Sequence, residues 1–417
     1  QSTLFIGELS LDGGLKKTQG ILSMAMKALD EKLVTVFTSS ENIALLHYID
    51  TIASYGARTL EDIVQVLIKP DSYTVEDIST NREDKTYSSI DYKDVHGQEL
   101  GKRAMIIVAT GLHHVMMTGP PGAGKTMLAE RLPTILPDMS WDERFETTRI
   151  HDVAGLLEKN TLISRRPFRG PHHTATLASI IGGGSNAKPG EITLAHNGVL
   201  FIDEAPEFPR FILDALRQPL ESHTITVNRL QNSYEYPAKF ICVLAANPCP
   251  CGYYGDPHKE CVCSSTELMK YQNKISGPIL DRIDLYISVE RPSFNDMLLT
   301  NEDSLSSSDM KDLVERGRNI QLERFKDCTF KTNGSMPHRA IRELCNIQDD
   351  CWNLLSDVYE RFHFTGRSFD RLLKVSRTIA DMDGSLYVEK KHISEAMLYR
   401  HTPFHVSRIG DHDGTTV

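Results

Sequence analysis

The chain has 417 residues, a formal net charge of −10, 40% hydrophobic residues and 24% charged residues. This length predicts two or three domains, and the composition is that of an ordinary globular protein. The acidic balance argues against a broadly basic nucleic-acid-binding surface, but it is compatible with a few local basic loops. No apolar run reaches the ~18 residues that a membrane span requires, so we expect no membrane partner.

The first part of the chain, residues 1–69, alternates short apolar runs with one amphipathic stretch. "FIGELSL" predicts a strand, "GILSMAMKALDEKL" a helix and "VTVF" another strand. Residues 70–94 are polar and aperiodic, which is typical of a linker. Because the chain begins at Gln1 and not at Met, we expect a further upstream segment, and a targeting sequence there stays open.

Between residues 95 and 298, apolar strands alternate with helical patterns, which predicts an α/β domain with a parallel sheet. Residues 299–402 begin with the polar run "TNEDSLSSSDMKD" and continue with several amphipathic helices. They predict a small helical domain. Residues 403–417 are expected to be a disordered tail.

A glycine-rich run, "GPPGAGKT", follows a predicted strand and precedes a predicted helix. This pattern and context predict a phosphate-binding loop, whose backbone N–H groups and helix N-terminus face phosphates. Lys125 is predicted to reach the β- and γ-phosphates of ATP, and Thr126 to bind Mg²⁺. The residues predicted to hold the nucleotide here are Gly119, Pro120, Pro121, Gly122, Ala123, Gly124, Lys125, Thr126 and Met127.

An acidic pair closes the next strong strand pattern, "GVLFIDEA", at Asp203 and Glu204. Side chains at the carboxyl end of a parallel strand lie at the edge where such sheets bind ligands. Together with the phosphate-binding loop, the pair predicts a magnesium site at Asp203 and a residue that orients the attacking water at Glu204. A polar strand end without function is the alternative.

A third polar position, Asn247, follows the apolar run "KFICVLAA". A side chain there is predicted to position the attacking water near the γ-phosphate. The alternative is a turn asparagine, since Asn before Pro often opens a turn.

Four cysteines follow at once in an insertion, residues 249–263: Cys249, Cys251, Cys261 and Cys263. Two close pairs of thiolates predict a structural Zn²⁺ site with four ligands, in which His258 is able to replace one cysteine. Free thiols and disulfides are the alternatives. The other four cysteines are predicted to be buried thiols, a usage that fits a reducing, cytoplasmic location.

Together these motifs resemble an AAA+ ATPase. The segment "DVHGQELGKRAM" is similar to the one before the Walker A strand, which implies that Val95 and His96 lie near adenine. Asn247 resembles sensor 1. "GPILDRIDL" resembles the segment with the arginine finger, which implies that Arg282 reaches the nucleotide of a neighbouring subunit. Arg367 resembles sensor 2, with Arg371 as second choice.

For each of these arginines, a solvated or salt-bridged surface position is the alternative.

Within AAA+ proteins, "RPFRGPHHTATLASIIGGGSNAKPGEITLAHNGVLFIDE" resembles magnesium-chelatase ATPase subunits, and "NPCPCG" with "ISGPILDRID" resembles the YifB/ComM family of Mg-chelatase-like proteins. Residues 1–69 resemble the second half of a Lon-type protease domain. Leu22 stands where Lon proteases have a lysine, so we expect no Ser-Lys dyad and no proteolysis.

The resemblance implies an ATP-driven homo-hexameric motor that translocates on DNA or migrates branches during natural transformation. The hairpin pattern "TITVNRLQNSYEYPAKF" and the run "SRRPFRGPHH" are predicted to contact DNA without sequence preference. The residues in question are Arg165, Arg166, Arg169, His172, His173, Arg229 and either Tyr234 or Tyr236. A structural role for the two histidines is the preferred alternative. A magnesium-chelatase-type motor, or a protein remodeller or adaptor that does not act on DNA, is the alternative function.

Overall fold

A computed structural model describes residues 3–69, 90–157, 160–184, 187–228, 233–294 and 304–400. Most of the predicted 70–94 linker, Arg229 at the predicted hairpin tip, the start of the predicted helical domain and the predicted 403–417 tail lie outside the described residues. In the part of the chain described here, no helix has the length and apolar character needed to cross a lipid bilayer.

The N-terminal unit, residues 3–69, is a small α/β layer. Its three-stranded sheet is parallel, in the order β1-β4-β5, and a short antiparallel pair, β2-β3, lies beside it. The expected strand "FIGELSL" is wrong as a single element, because it is interrupted after Phe5 and resumes at Glu8. The elements are β1 Thr3–Phe5, β2 Glu8–Leu9, β3 Leu15–Lys16, α1 Ile21–Asp30, β4 Thr35–Ser39, α2 Ile43–Leu46, β5 Ala53–Ala57 and α3 Leu60–Ile68.

The middle of the chain forms a five-stranded parallel sheet, which confirms the predicted α/β class. Its order is β14-β6-β13-β10-β7, and every neighbouring pair is parallel. The strands of this unit are β6 Val115–Thr118, β7 Phe168–Arg169, β8 Gly182–Gly183, β9 Lys188–Pro189, β10 Val199–Ile202, β11 Thr224–Asn228, β12 Ser233–Pro237, β13 Ile241–Ala246 and β14 Leu285–Ser288. Since β6, β10 and β13 are buried throughout, their runs are continuously apolar and not alternating.

Helices cover both faces of this sheet. The residues at the two ends of α6 explain its bounds. Ser140 and Glu143 cap its first turn reciprocally, and Gly155, with φ of 74°, terminates the helix. The helices are α4 Glu99–Gly111, α5 Lys125–Ile135, α6 Trp141–Ala154, α7 Leu177–Ile181, α8 Glu191–Leu194, α9 Arg210–Ala215, α10 Pro219–Ser222, α11 Ser265–Gln272 and α12 Gly277–Leu280.

The last described part of the chain is a helical unit that shares its core with α4 and α5. The Gln321 side chain donates a hydrogen bond to the Thr110 carbonyl at 3.1 Å, and the Gly334 N–H donates to the Gly111 carbonyl at 2.9 Å. The helices are α13 Ser307–Arg324, α14 His338–Leu344, α15 Cys351–Arg361, α16 Gly366–Met382 and α17 Lys390–Leu398.

The N-terminal unit packs on α6. The Leu22 N–H donates a hydrogen bond to the Asp152 carboxylate at 3.1 Å, and Ile21 and Leu22 share a buried cluster with Phe145 and Leu162. Leu22, which stands at the position of the Lon lysine, is thus a fully buried side chain next to the central unit.

Candidate nucleotide site

The glycine-rich loop leaves β6 at the carboxyl edge of the sheet and enters α5 at Lys125. Gly124 precedes the helix with φ of 95°, a conformation that side-chain-bearing residues rarely adopt. The Lys125 Nζ donates hydrogen bonds to the Gly119 carbonyl at 2.6 Å and to the Pro120 carbonyl at 3.0 Å. Burial lowers the pKa of Lys125, and Asp203 and Glu204 oppose this shift. The loop therefore places the Lys125 ammonium group beside backbone N–H groups and a helix N-terminus, all of which favour a bound phosphate.

The acidic pair lies beside this loop, as the sequence predicts. Thr126 Oγ1 donates a hydrogen bond to Asp203 Oδ2 at 3.1 Å, so a hydroxyl oxygen and a carboxylate oxygen lie side by side. Oxygen donors of this kind are the ligands that Mg²⁺ takes, and the two residues therefore fit a magnesium ion shared with a nucleotide.

Glu204 directly follows in a left-handed backbone conformation, with φ of 49°. Its side chain is half exposed, and its Oε2 lies 3.7 Å from His173 Nδ1. The His173 ring is in turn stacked near His172, at 4.1 Å between ring centroids. A structural role is the sequence-based preference for His173, but the structure places it beside the predicted catalytic carboxylate. Sequence spacing carries no signal for this pairing, because the two residues come from different strand ends.

Asn247, at the end of β13, faces the loop from the neighbouring strand. Its Oδ1 accepts a hydrogen bond from Lys125 Nζ at 3.1 Å, and its backbone contacts the Tyr271 hydroxyl. Its side chain thus reaches the group that is predicted to bind phosphate. Tyr271, on α11, has no sequence signal of its own.

The predicted adenine-side segment also contacts the loop. Val95 is buried in the cluster that contains Ala123, and His96 is half-buried next to it. Gln98 Nε2 donates hydrogen bonds to the Ala123 carbonyl, at 3.3 Å, and to the Glu290 carbonyl. Gln98 therefore ties this segment to the loop, a role that the motif did not reveal.

The three arginines that resemble an arginine finger and sensor 2 lie at the other edge of the sheet. Arg282 comes just before β14, and its guanidinium pairs with Glu221 and donates a 2.7 Å hydrogen bond to the Pro278 carbonyl. Arg371 donates to the Asp281 carbonyl at 2.6 Å, and Arg367 is exposed one turn earlier on α16.

A four-residue strand spans about 13 Å, and this length separates the amino edge from the carboxyl edge of the sheet. Because Arg282 pairs at the amino edge and the phosphate loop lies at the carboxyl edge, one chain does not bring them together. Arg371 forms an ion pair with Asp284 at the same amino edge. Burial alone would raise the pKa of Asp284, but Arg371 and His113 outweigh it, so this pKa is well below its usual range.

The four clustered cysteines converge on one point. Their sulfur atoms all lie within 4.8 Å of one another, and three of the separations are 3.3, 3.7 and 3.6 Å. A disulfide requires sulfurs about 2.05 Å apart, so the cysteines are not paired in this way. Four thiolates about 2.3 Å from a central zinc ion are about 3.8 Å apart, which matches the observed spacing. The donor set fits Zn²⁺ without His258.

One of these thiols is set up for ionisation. Burial raises the pKa of Cys251, but backbone N–H groups from Tyr253 and Val262 outweigh it and lower the pKa to about 6. Thiolates are the form that binds metal, and Cys251 is the thiol favoured as a thiolate, whereas the pKa of Cys261 and that of Cys263 are raised.

The cysteine-bearing loop rests on the phosphate-binding loop. A Cβ atom added at Gly252 would lie 2.7 Å from Pro121 Cδ, so the Gly252 backbone packs closely on the Pro121 ring. Tyr253, next along the chain, lies under the Lys259 ammonium, at 3.9 Å, and near the Arg291 guanidinium, at 5.6 Å. The insertion is therefore in contact with the nucleotide loop and not a remote appendage.

Of the three arginines in "SRRPFRGPHH", two form ion pairs within the chain. Arg166 pairs with Glu143 at 2.9 Å, and Arg169 forms a bidentate pair with Glu191 at 2.6 and 2.8 Å. Arg165 and His172 are exposed. Only part of this run therefore remains accessible to a partner.

The predicted hairpin is present as β11 paired with β12. The Tyr236 hydroxyl donates a 2.5 Å hydrogen bond to the Ala187 carbonyl, and its ring packs on the sheet core. Tyr234, two residues earlier, is exposed.

Two sequence families match this chain. The family described as "Magnesium chelatase, subunit ChlI" covers residues 91–297, and "Magnesium chelatase, subunit ChlI C-terminal" covers residues 304–400. "Competence protein ComM" of Haemophilus influenzae is 37% identical over 404 residues, which are 95% of this chain and 77% of that protein.

The protein YifB of Salmonella typhimurium is 36% identical over 395 residues, 95% of this chain and 76% of that relative. The "Magnesium-chelatase 38 kDa subunit" of Rhodobacter capsulatus is 27% identical over 181 residues, 39% of this chain and 52% of that protein. Both the long coverage and the five-stranded P-loop sheet agree with the resemblance noted in the sequence. The chain therefore belongs to the YifB/ComM family of Mg-chelatase-like AAA+ ATPases.

Proposed function

We propose that this chain is one protomer of a hexameric ring that uses ATP hydrolysis to move along branched DNA. The observation that carries the ring is the division of the site between two edges of the sheet. The phosphate loop and its acidic pair lie at the carboxyl edge, whereas Arg282 lies at the amino edge. A heterologous, head-to-tail interface brings the two edges together, and such interfaces close into rings.

Within one protomer, Lys125 binds the β- and γ-phosphates and Asn247 positions the attacking water. Glu204 accepts its proton or orients it, since it lies at the same strand edge with an exposed carboxylate. Thr126 and Asp203 hold Mg²⁺, which when bound neutralises charge on the phosphates. Val95 and His96 border the adenine.

From the adjacent protomer, Arg282 and Arg367 act on the same nucleotide. Arg282 leaves its pair with Glu221 when a phosphate offers a stronger, charge-assisted partner. Arg367 is already exposed near it on α16, so it needs no such exchange.

DNA is the proposed substrate because the exposed groups suit a nucleic-acid strand. Arg165 supplies local positive charge, and His172 and Tyr234 supply exposed rings for stacking. The H. influenzae relative is a competence protein by name. Branch migration in natural transformation is therefore the process that we assign to this chain.

The test is binding of a four-way DNA junction by the purified protein with a non-hydrolysable ATP analogue, followed across salt concentrations. We expect sequence-independent affinity that falls steeply with salt, and ATP turnover that rises when the junction is added. Absence of salt-sensitive affinity would contradict the proposal.

A magnesium-chelatase-type motor is the second candidate, favoured by the family match over residues 91–297. It predicts ATP turnover that is indifferent to DNA. The junction experiment therefore separates the two functions.

Zinc has a structural part in this proposal. Cys249, Cys251, Cys261 and Cys263 hold it, and it keeps the insertion seated on Pro121 through Gly252. For the remaining units we propose the predicted division: a Lon-like platform at residues 1–69 without a catalytic dyad, a linker at 70–94, the ATPase at 95–298 and the helical lid at 299–402.

A further inference from the structure

A cavity of about 480 Å³ lies at the amino edge of the ATPase sheet, between the sheet and the helical unit. Its floor is made by residues that directly precede strands, among them His114 before β6, Gly198 before β10 and Asp284 before β14. The phosphate loop lies at the opposite edge, so this cavity is separate from the nucleotide site of its own chain. Its size is within the range of about 300–1,000 Å³ that is usual for small-molecule sites.

Among the basic side chains that line this cavity, His223, Lys239 and Lys374 form no ion pair with a carboxylate in the described part of the chain. Lys374 donates one hydrogen bond, to the Gly334 carbonyl at 3.0 Å, and keeps two further N–H groups. For Lys239, no side-chain hydrogen bond is formed with the residues that the structure covers.

The carboxylates that line the same cavity are already engaged by arginines. Two of these carboxylates still act on the lysines through their charge, Glu143 on Lys239 and Asp284 on Lys374. The pairs are Glu143 with Arg166, Glu221 with Arg282 and Asp284 with Arg371. Each carboxylate that lines the cavity therefore already has an arginine as its ion-pair partner.

The three basic groups also repel one another. Burial lowers the pKa of His223, and Lys239 and Lys374 lower it further. Burial likewise lowers the pKa of both lysines. Glu143 opposes this shift at Lys239 and Asp284 opposes it at Lys374, whereas nearby arginines add to it. The positive charge of the lysines is thus held partly out of water and only partly compensated, so a bound anion would stabilise it.

Apolar side chains complete the wall beside these cations, notably Leu112, Leu136, Phe330 and Met336. A pocket lined by both charged and apolar groups suits a small molecule that has both. We propose that this cavity binds a phosphate-bearing small molecule, whose phosphate lies among His223, Lys239 and Lys374.

The ligand would connect two units, because Lys239 precedes β13 of the sheet and Lys374 lies on α16 of the helical unit. It would therefore stabilise their contact. The inference is independent of the proposed action on DNA.

The test is calorimetric titration of the full chain carrying Lys125→Ala, which disables the phosphate loop, with inorganic pyrophosphate and separately with AMP. We expect saturable binding of at least one of them. Adding Lys239→Met and Lys374→Met should lower that affinity at least tenfold, whereas Lys326→Met, at an exposed position on the same helical unit, should not.

Tighter binding of AMP would identify an organic phosphate ester, and tighter binding of pyrophosphate an inorganic ion. Absence of saturable binding of both, or equal affinity with and without the two lysines, would overturn the proposal. Thermal unfolding without ligand serves as the check on folding. Loss of two desolvated charges should leave the unfolding temperature of the Met variants unchanged or higher.

Discussion

At the scale of single residues, the polar groups of the nucleotide site lie at the carboxyl ends of neighbouring parallel strands. Asp203 and Asn247 each follow a buried apolar strand, and Lys125 begins the helix after a third. Since parallel strands share one carboxyl edge, the sequence alone was enough to predict that these side chains meet. The contact between Glu204 and His173 was not predictable, because His173 lies in an irregular loop after a two-residue strand.

Glu204→Gln is expected to separate catalysis from binding. An amide keeps the shape of the side chain but cannot act as a base, so ATP turnover should fall about 10²–10⁴-fold. Nucleotide affinity should change little, since Lys125 and the loop are untouched. Both quantities are measurable on the same protein, by phosphate release and by titration with a fluorescent nucleotide.

Glu207→Gln is the matched control for this change. Glu207 lies three residues further on, exposed, with only a 3.4 Å pair to Lys274. Exposed pairs contribute about 0–1 kcal/mol, so turnover should stay near that of the unmodified protein. If Glu204→Gln also retained turnover, Glu204 would not be the catalytic carboxylate.

At the scale of elements, the insertion that carries the cysteines depends on one close contact. Gly252, with φ of 86°, brings its backbone against Pro121 of the phosphate loop. The cysteine spacing in the sequence indicated a metal site, but it did not indicate which part of the ATPase the loop would touch. That contact is set by tertiary packing and leaves no local pattern.

Metal analysis of the purified protein tests the zinc site. We expect one zinc ion per chain, and Cys261→Ser should lower this content, because it removes one of four thiolate ligands. Cys328→Ser, outside the cluster, is the control and should leave the metal unchanged. Stoichiometric zinc that survives Cys261→Ser would contradict the assignment.

The same contact predicts how zinc removal affects the ATPase. If zinc keeps the insertion against the phosphate loop, a chelator should lower ATP turnover more than ATP affinity, because the loop itself stays intact. Equal losses of turnover and affinity would contradict this reading. Readdition of zinc should restore turnover.

The β11–β12 hairpin is predicted to contact DNA through the exposed ring of Tyr234. Tyr234→Ala removes an exposed ring, and stacking on a base contributes about 1–3 kcal/mol, so affinity for single-stranded DNA should fall about 5- to 150-fold. Tyr387→Ala, which changes a more exposed tyrosine on the helical unit, should have no effect. Equal affinity of the two variants, measured by fluorescence anisotropy, would exclude the hairpin from the DNA interface.

At the scale of the whole molecule, the carboxyl edge of the sheet carries the phosphate loop, and the amino edge carries Arg282. The order of elements already places Arg282 at the amino edge, since it precedes a strand, whereas the position of Arg367 depends on how the helical unit packs. Helical periodicity predicted that this unit exists but not where it docks. Its docking through Gln321 and Gly334 is a long-range contact, which no local pattern specifies.

Mixing two inactive variants tests whether the edges of neighbouring protomers form one active site. Lys125→Ala disables the carboxyl edge and Arg282→Ala the amino edge, so each variant alone should lose ATP turnover. In an equimolar mixture, about a quarter of head-to-tail interfaces combine an intact loop with an intact arginine, and turnover should return in proportion. A mixture of Lys125→Ala with Glu204→Gln, both at the carboxyl edge, should stay inactive, because no interface then has a complete loop side. Turnover by Arg282→Ala alone, or no recovery in the first mixture, would show that the arginine does not act across an interface.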